Sequence, residues 1–175
     1  MQAASGGTSD ESWRRRNVGR SIFNAFEAFE RDLLAKLAKE GFGDVRRVQL
    51  SLYRNLELTG TRLTDLAQRA AMTKQGMQEL VDRAVKAGYV ERMVDPTDRR
   101  AKVIAFTCRG LSLLEGLHRA IAFAQAQMAA AVGEDNMQAI AAQLDAYVGQ
   151  SASGPVADDL AGKTRYVRSP VEAAC

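Results

Sequence analysis

The chain has few of the residues on which enzymes and metal sites depend. Its 175 residues include one histidine and two cysteines, too few for a histidine-based catalytic triad, a histidine-rich zinc site or a framework of disulfide bonds. Only three prolines occur, which favours helix because proline interrupts helix interiors. No apolar run approaches the ~18 residues that a membrane span needs, and the polar first ten residues predict no secretory signal. We therefore expect a helical cytoplasmic protein without membrane contact, metal, cofactor or enzymatic activity.

Positive charge is concentrated in the middle of the chain. Residues 61–110 carry ten Lys or Arg against six Asp or Glu, a net charge of +4, whereas residues 111–175 carry four against seven, a net charge of −3. A basic segment of this kind is typical of a surface that binds a polyanion such as nucleic acid. A chance fluctuation in a globular protein explains the same numbers, so charge alone leaves both interpretations open.

The spacing of apolar residues predicts helices around one short hairpin. The expected helices cover residues 20–39, 45–58, 62–70, 74–88, 107–132 and 134–148. Two short strand-like runs, 89–94 and 102–106, flank a charged turn. In the helix over 107–132, we expect the apolar side to consist of Leu111, Leu114, Ile121 and Met128. Residues 1–17 and 149–175 are polar and without periodicity, which predicts flexible tails.

The segment from Leu63 to Gly88 predicts a helix-turn-helix. Two amphipathic helices are separated by the short turn 71–73, and Thr73 is a suitable N-cap for the second helix. In such a unit the second helix enters the major groove of DNA with its first turns. The alternative is a helical hairpin within a bundle, whose polar face is simply solvated.

The first turns of that second helix carry polar residues suited to DNA. Lys74 is able to contact a phosphate or a guanine, and Gln75 and Gln78 are able to pair with adenine. Gly76 costs about 1 kcal/mol relative to alanine inside a helix. Such a glycine is expected where DNA approaches the helix backbone closely, so we include Gly76 in the predicted interface.

The predicted hairpin has a basic tip, residues 95–100. Arg99 and Arg100 stand on this tip, and arginines on a projecting loop suit the negative potential of the minor groove. The alternative is a charged turn that only prevents strand edges from pairing. A helix-turn-helix followed directly by such a hairpin has the order of a winged helix, which favours the DNA-binding interpretation.

Together these segments resemble the MarR-type regulators, which are bacterial dimeric winged-helix transcription factors. The resemblance extends over residues 20–148, and the segments that carry it are 63–67, 72–77, 80–83, 87–92, 95–100 and 105–107. Its most specific part is the Asp-x-x-Asp-x-Arg pattern of the hairpin tip. The resemblance implies a mainly α fold with a small β-hairpin wing and long flanking helices. The pair Gly76-Met77 and the tail beyond Gly149 depart from the family pattern.

The resemblance also implies roles for individual residues. Those that would contact DNA are Thr73, Lys74, Gln75 and Gln78 in the recognition helix and Arg99 and Arg100 in the wing. Asp82 and Asp98 would hold the wing in place. The terminal helices would form a dimer interface, and the apolar stripes predicted for it include Ile22, Phe26, Phe29, Met137, Ile140 and Leu144.

The sequence thus predicts a DNA-binding unit between dimerisation helices. We expect an N-terminal tail over 1–17, a helical dimerisation region over 18–44 and 107–148, a winged helix-turn-helix over 45–106, and a C-terminal tail over 149–175. The expected function is sequence-specific binding of double-stranded DNA by a homodimeric transcriptional regulator, a repressor that responds to a small-molecule effector. The alternative is a winged-helix module that binds protein instead of DNA.

Overall fold

The structure is a computed structural model that describes residues 12–95 and 102–152. Its helices are α1 (Ser12–Arg15), α2 (Val18–Lys39), α3 (Leu50–Asn55), α4 (Leu63–Arg69), α5 (Lys74–Lys86), α6 (Cys108–Val132) and α7 (Glu134–Ala152), and a 3-10 helix, Arg47–Gln49, precedes α3. Its strands are β1 (Thr61–Arg62), β2 (Val90–Val94) and β3 (Lys102–Phe106). The mainly helical fold class with a β-hairpin wing is therefore confirmed.

Three antiparallel strands form the small sheet, in the order β1-β3-β2. The predicted hairpin consists of β2 and β3, which pair from Val90 opposite Phe106 to Val94 opposite Lys102. Strand β1 was not predicted, and it pairs Thr61 with Ile104. Two residues are too few to show the alternation by which a strand is recognised, and the helical pattern of α4 follows at once.

The core of the helix-turn-helix agrees with the predicted apolar stripes. In α4 the buried side chains are Leu66 and Ala67, and in α5 they are Met77, Leu80, Val81 and Ala84. Tyr89 and Phe106, both buried, continue this core beneath the sheet. One core therefore supports α5 and the hairpin together, which fixes their relative position.

The predicted second helix, 45–58, is interrupted. Residues 47–49 form the 3-10 helix, and α3 covers only Leu50–Asn55. Val48, expected on the inner face with Leu52 and Leu56, is 46% exposed. The 3-10 turn winds more tightly than an α-helix, which rotates Val48 away from the face that α3 buries.

The long helices α2 and α6 pack side by side in opposite directions. Arg119 of α6 binds Glu40 just beyond α2, and Lys36 lies 6.0 Å from the ring centroid of Phe123. The buried side of α6 consists of Gly110, Leu113, Gly116, Ala120 and Ala124.

The apolar side predicted for α6 is right in part, because Leu111 and Leu114 pack against the core but do not belong to its most buried row. Leu111, Leu114 and Met128 are half-buried, and Ile121 is 40% exposed. Small residues line the contact: a Cβ on Gly116 would lie 3.4 Å from Cδ2 of Leu37 in α2 and 2.8 Å from Cε2 of Phe42, which follows α2. Larger apolar side chains are displaced to the flanks of such a contact.

The ends of the described chain contain more helix than the sequence predicts. Helix α1 lies inside segment 1–17, and α7 continues to Ala152, inside segment 149–175. The other residues of both expected tails lie outside the described ranges, so the predicted tails and domain boundaries remain predictions. Within the described part of the chain, no helix is both long enough and apolar enough to cross a membrane.

Candidate nucleic-acid interface

The first turn of α5 presents polar side chains to solvent while its apolar side is buried. Lys74 and Gln75 are exposed, and Met77 is fully buried. The side chain of Thr73 accepts a hydrogen bond from the backbone N–H of Gly76 at 3.1 Å, which confirms Thr73 as the N-cap. The cap fixes the helix end at which the predicted DNA-contacting residues lie.

The presence of glycine at position 76 has a steric explanation within the chain itself. A Cβ at this position would lie 3.2 Å from Oγ1 of Thr73 and 3.5 Å from Cε of Met72. The same arrangement begins α6, where Thr107 accepts a hydrogen bond from the N–H of Gly110 at 3.1 Å. Tight packing against the cap therefore favours glycine, and the predicted close approach of DNA remains a separate expectation.

Three side chains connect α5 to the hairpin. The amide Nε2 of Gln78 donates to Oδ1 of Asp82 at 3.0 Å, and Arg92 of β2 forms an ion pair with the same oxygen. The hydrogen bond from Arg92, and then that from Gln78, hold the pKa of Asp82 below its ordinary value. Helix α5 and the hairpin therefore share one charged contact, at one of the two aspartates expected to hold the wing.

A second charged contact lies at the base of the hairpin tip. Asp95 is buried, and its Oδ2 accepts from Nε of Arg62 at 2.8 Å and lies 2.7 Å from another guanidinium nitrogen of Arg62. The sequence suggests only turn chemistry for Asp95, because its partner lies on the unpredicted strand β1. Asp98, Arg99 and Arg100 lie outside the described residues, so their predicted roles remain predictions.

A buried carboxylate joins α2 to the helix-turn-helix side of the molecule. Glu30 has a side chain that is 4% exposed, and it accepts from Arg47 and from Arg54, each at 2.5 Å. Arg47 also reaches Oε1 of Glu27 at 2.7 Å. No sequence pattern marked this cluster, since its members are 17 and 24 residues apart along the chain.

A second polar cluster joins α6 to the start of the sheet. The hydroxyl of Tyr89 donates to Asp44 at 2.5 Å, and Arg109 of α6 donates to the Tyr89 hydroxyl at 3.2 Å. Burial, followed by the bond to Asp44, raises the pKa of Tyr89 above its ordinary value. Together with the Glu30 cluster, these contacts fix the long helices relative to the winged helix.

The residues predicted for the dimer interface are largely uncovered in the single chain. Ile22 and Phe26 of α2 are each 43% exposed, as is Ile140 of α7, and Leu144 is 37% exposed. Phe29 and Met137 are half-buried. The structure therefore leaves two apolar faces available, one on the first turns of α2 and one on α7.

The antiparallel packing explains why the start of α2 is uncovered. Because Lys36 lies beside Phe123 and the two helices run in opposite directions, α6 ends at Val132 opposite about residue 27 of α2. Residues of α1 and α2 that precede this point have no part of α6 beside them. Their exposed apolar side chains include Trp13, Val18, Ile22, Phe23 and Phe26.

Comparison with known proteins finds a family match over part of the chain and a shared fold. Residues 50–101 match the MarR family. The apo form of wild-type MarR from E. coli is 19% identical to this chain with a TM-score of 0.63, and the match covers 75% of this chain and 97% of that protein. No protein of curated function matches.

Two further solved structures carry ligands. The transcriptional repressor CouR, bound to a 23-mer DNA duplex, is 21% identical with a TM-score of 0.59, over 81% of this chain and 99% of its own. A MarR family protein of Mycobacterium tuberculosis in complex with salicylic acid is 19% identical with a TM-score of 0.58, over 75% and 96%. At these identities the likeness establishes the fold. Residues 50–101 thus match the MarR family, and the described chain shares the winged-helix fold of the solved MarR structures, in agreement with the resemblance seen in the sequence.

Proposed function

We propose that this protein is a transcriptional regulator that binds specific sequences of double-stranded DNA as a homodimer. The observation that carries the proposal is the exposed polar start of α5, tied to the hairpin through the contact between Asp82 and Arg92. The match of residues 50–101 to the MarR family supports the same conclusion. The activity has no chemical step, and the proposed place of action is the cytoplasm.

In this proposal, α5 enters the major groove and the hairpin tip reaches the minor groove. Lys74, Gln75 and Gln78 face the base edges and nearby phosphates, because Lys74 and Gln75 are exposed and Gln78 is half-buried on the first turns of α5. Arg99 and Arg100 supply the minor-groove contact, with Asp82 and Asp98 holding the wing. Phosphate contacts supply most of the affinity, and base contacts supply the selectivity.

The homodimer in the proposal forms from the uncovered faces of α2 and α7. In a two-fold interface each face occurs twice, so the start of α2 in one protomer meets α7 in its partner. Charge supports this arrangement: residues 12–26 contain four arginines and no acidic residue, whereas α7 contains three acidic residues and no Lys or Arg. Such a dimer places its two recognition helices about 34 Å apart, one turn of DNA.

A small-molecule effector in this proposal releases a repressor from DNA. A ligand that binds more tightly to a dimer with a different spacing of recognition helices shifts the population away from the DNA-binding form. The salicylic acid complex of the mycobacterial MarR family protein supports an effector of this kind, and CouR, a repressor solved on DNA, supports repression.

The test is binding to duplex DNA that the full-length protein has itself selected from a random pool. Affinity for the selected duplex and for a scrambled duplex is measured by fluorescence anisotropy over a range of salt concentrations. We expect tighter binding to the selected duplex, and a decline of affinity with salt for both duplexes because phosphate contacts release counterions. Equal binding to both duplexes, or none, contradicts the proposal, and none favours a protein-binding module.

Two substitutions, Lys74→Ala and Gln75→Ala, distinguish attraction to the DNA phosphates from recognition of the base sequence. Lys74→Ala should weaken binding to both duplexes and reduce the salt slope by about one if the lysine contacts a phosphate. Gln75→Ala should weaken binding to the selected duplex more than to the scrambled one. Lys39→Ala, which removes the same charge from the exposed end of α2, is the matched control and should change neither affinity by more than about twofold.

A further inference from the structure

One row of α5 contains Lys74, Gln78 and Asp82, spaced four residues apart; Lys74 and Asp82 are exposed and Gln78 is half-buried. The middle residue has a side-chain amide with two chemically different ends, an oxygen that accepts and a nitrogen that donates. Which end Gln78 presents outward decides which base it is able to recognise. The structure restricts this choice through the residue one turn further along the helix.

Asp82 fixes the orientation of the amide. Its carboxylate is able only to accept hydrogen bonds when ionised, and the guanidinium of Arg92 favours the ionised form. Nε2 of Gln78 donates to Oδ1 of Asp82 at 3.0 Å. A reversed amide would place its oxygen against the carboxylate oxygen, two acceptors without a proton between them, which is unfavourable.

The orientation leaves a defined hydrogen-bonding pattern for a partner. One N–H of Gln78 is used by Asp82, which leaves the other N–H and the Oε1 acceptor, one donor beside one acceptor. Adenine presents the complementary pair in the major groove, the N7 acceptor and the N6 amino donor. Guanine presents N7 and O6, both acceptors, so the oxygen of Gln78 would oppose the oxygen of guanine.

We propose that Asp82 is a positioning residue that fixes the amide of Gln78 to select adenine at one position of each DNA half-site. The inference rests on the proposed function and deepens it, since it assigns a base to one residue of α5. Arg92 extends the arrangement to β2: it holds Asp82 from the hairpin and neutralises a carboxylate that would otherwise repel phosphate. Base selection by Gln78 is therefore coupled to the position of the wing.

The experiment determines base preference at every position of the selected duplex for the full-length protein and its variants. The wild type is expected to prefer adenine over guanine about tenfold at one position per half-site. Gln78→Ala should abolish that preference. Asp82→Asn should reduce it to within about twofold, because an asparagine amide is able both to donate and to accept and so permits both orientations of Gln78.

Glu79→Gln is the matched control for the carboxylate. It makes the same change from acid to amide on the adjacent row of α5, where Glu79 lies 3.5 Å from Arg83, and it should leave the adenine preference unchanged. Thermal unfolding of each variant identifies loss of structure. If Asp82→Asn fails to fold, 7-deazaadenine at the preferred position still tests the contact, since wild-type binding should weaken about tenfold and Gln78→Ala binding should not change.

Two results would overturn the inference. One is a folded Asp82→Asn variant that keeps the full adenine preference, and the other is a Gln78→Ala variant with the base preferences of the wild type. Wild-type binding that is unchanged by 7-deazaadenine would also overturn the inference, because the inference requires N7 of adenine to accept a hydrogen bond from Gln78. A wild-type protein that does not distinguish the selected duplex from the scrambled one contradicts the proposed function itself, so the two failures are distinguishable.

Discussion

The turn of the helix-turn-helix contains a residue in an unfavourable backbone conformation. Ala71 has φ of 50°, in the left-handed region, and it is the one residue other than glycine with positive φ among residues 12–95 and 102–152. A Cβ costs about 1–2 kcal/mol in this region relative to glycine. The conformation persists because the buried faces of α4 and α5 determine how the chain between them must turn.

Replacing Ala71 with glycine should therefore stabilise the fold. Glycine removes the strain but is more flexible in the unfolded chain, which offsets part of the gain. The net expected gain in the free energy of unfolding is about 0.5–1 kcal/mol. Ala71 is exposed, so the change removes no packed side chain. Urea unfolding measures the effect, with Ala70→Gly as control: Ala70 has φ of −84° and should lose stability. A loss of stability in both variants would contradict the strain argument.

At the scale of the secondary-structure elements, the start of α6 packs tightly against Tyr89, the residue that precedes β2. A Cβ on Gly110 would lie 2.0 Å from the backbone oxygen of Tyr89, a contact that cannot be relieved by a side-chain rotation. The absence of a side chain at Gly110 thus allows α6 to begin directly against the backbone of Tyr89, just before β2. This contact positions the long helix relative to the winged helix.

Gly110→Ala should consequently be strongly destabilising. Overpacking of a rigid backbone contact typically costs 1–3 kcal/mol and occasionally more, and we expect a loss of about 3 kcal/mol here. The control is Gly43→Ala, where the added Cβ would meet only Ala38 at an ordinary 3.7 Å. Thermal unfolding compares the two. Equal melting temperatures would show that α6 is able to shift without cost.

The Glu30 cluster is expected to stabilise the contact between α2 and α3. Glu30→Gln removes the buried charge that faces Arg47 and Arg54, and the expected loss is about 1–3 kcal/mol, below that of a fully buried pair because these arginines are 44% and 48% exposed. Glu27→Gln is the control: Glu27 is 43% exposed and pairs with Arg47, which is itself 44% exposed, so its loss should stay below about 1 kcal/mol. A larger loss for Glu27→Gln in urea unfolding would contradict this ranking.

For the whole molecule, the single chain leaves apolar faces of α2 and α7 uncovered. The exposed apolar side chains at the start of α2 and along α7 lie together with opposite charges, basic on residues 12–26 and acidic on α7. Contiguous exposed apolar surface of this kind marks an interaction site. The proposed homodimer covers both faces in one symmetric contact.

A charge placed in this face should dissociate the dimer. Ile140→Asp is expected to convert a dimer at micromolar concentration into a monomer, because an aspartate buried without a partner is costly, and to weaken DNA binding through loss of the second half-site. The helical content should remain, since Ile140 is 43% exposed in the single chain. Sedimentation equilibrium measures the mass.

The control for this prediction is Met93→Asp on the hairpin. Met93 is 44% exposed, nearly the same fraction as Ile140, but lies on β2. The Met93 variant should remain dimeric. A wild-type protein that is monomeric at micromolar concentration would refute the interface itself, and higher salt should weaken the wild-type dimer because opposite charges contribute to it.

The sequence by itself determined the elements whose signals are local. The helix-turn-helix, the Thr73 cap, the paired strands β2 and β3 and the long helices follow from apolar spacing and from residues that begin or end a helix within a few positions of each other. The polar residues at the start of α5 were identified for the same reason. Such signals survive in a single chain because a helix or hairpin forms from neighbouring residues.

The tertiary structure alone decided which distant residues meet. Strand β1 exists because β3 offers it a partner, and the buried stripe of α6 depends on how closely α2 approaches it. The pairs of Asp95 with Arg62, Glu30 with Arg54 and Asp82 with Arg92 join residues 33, 24 and 10 positions apart. No local pattern encodes such pairs, since each depends on packing that places one element against another.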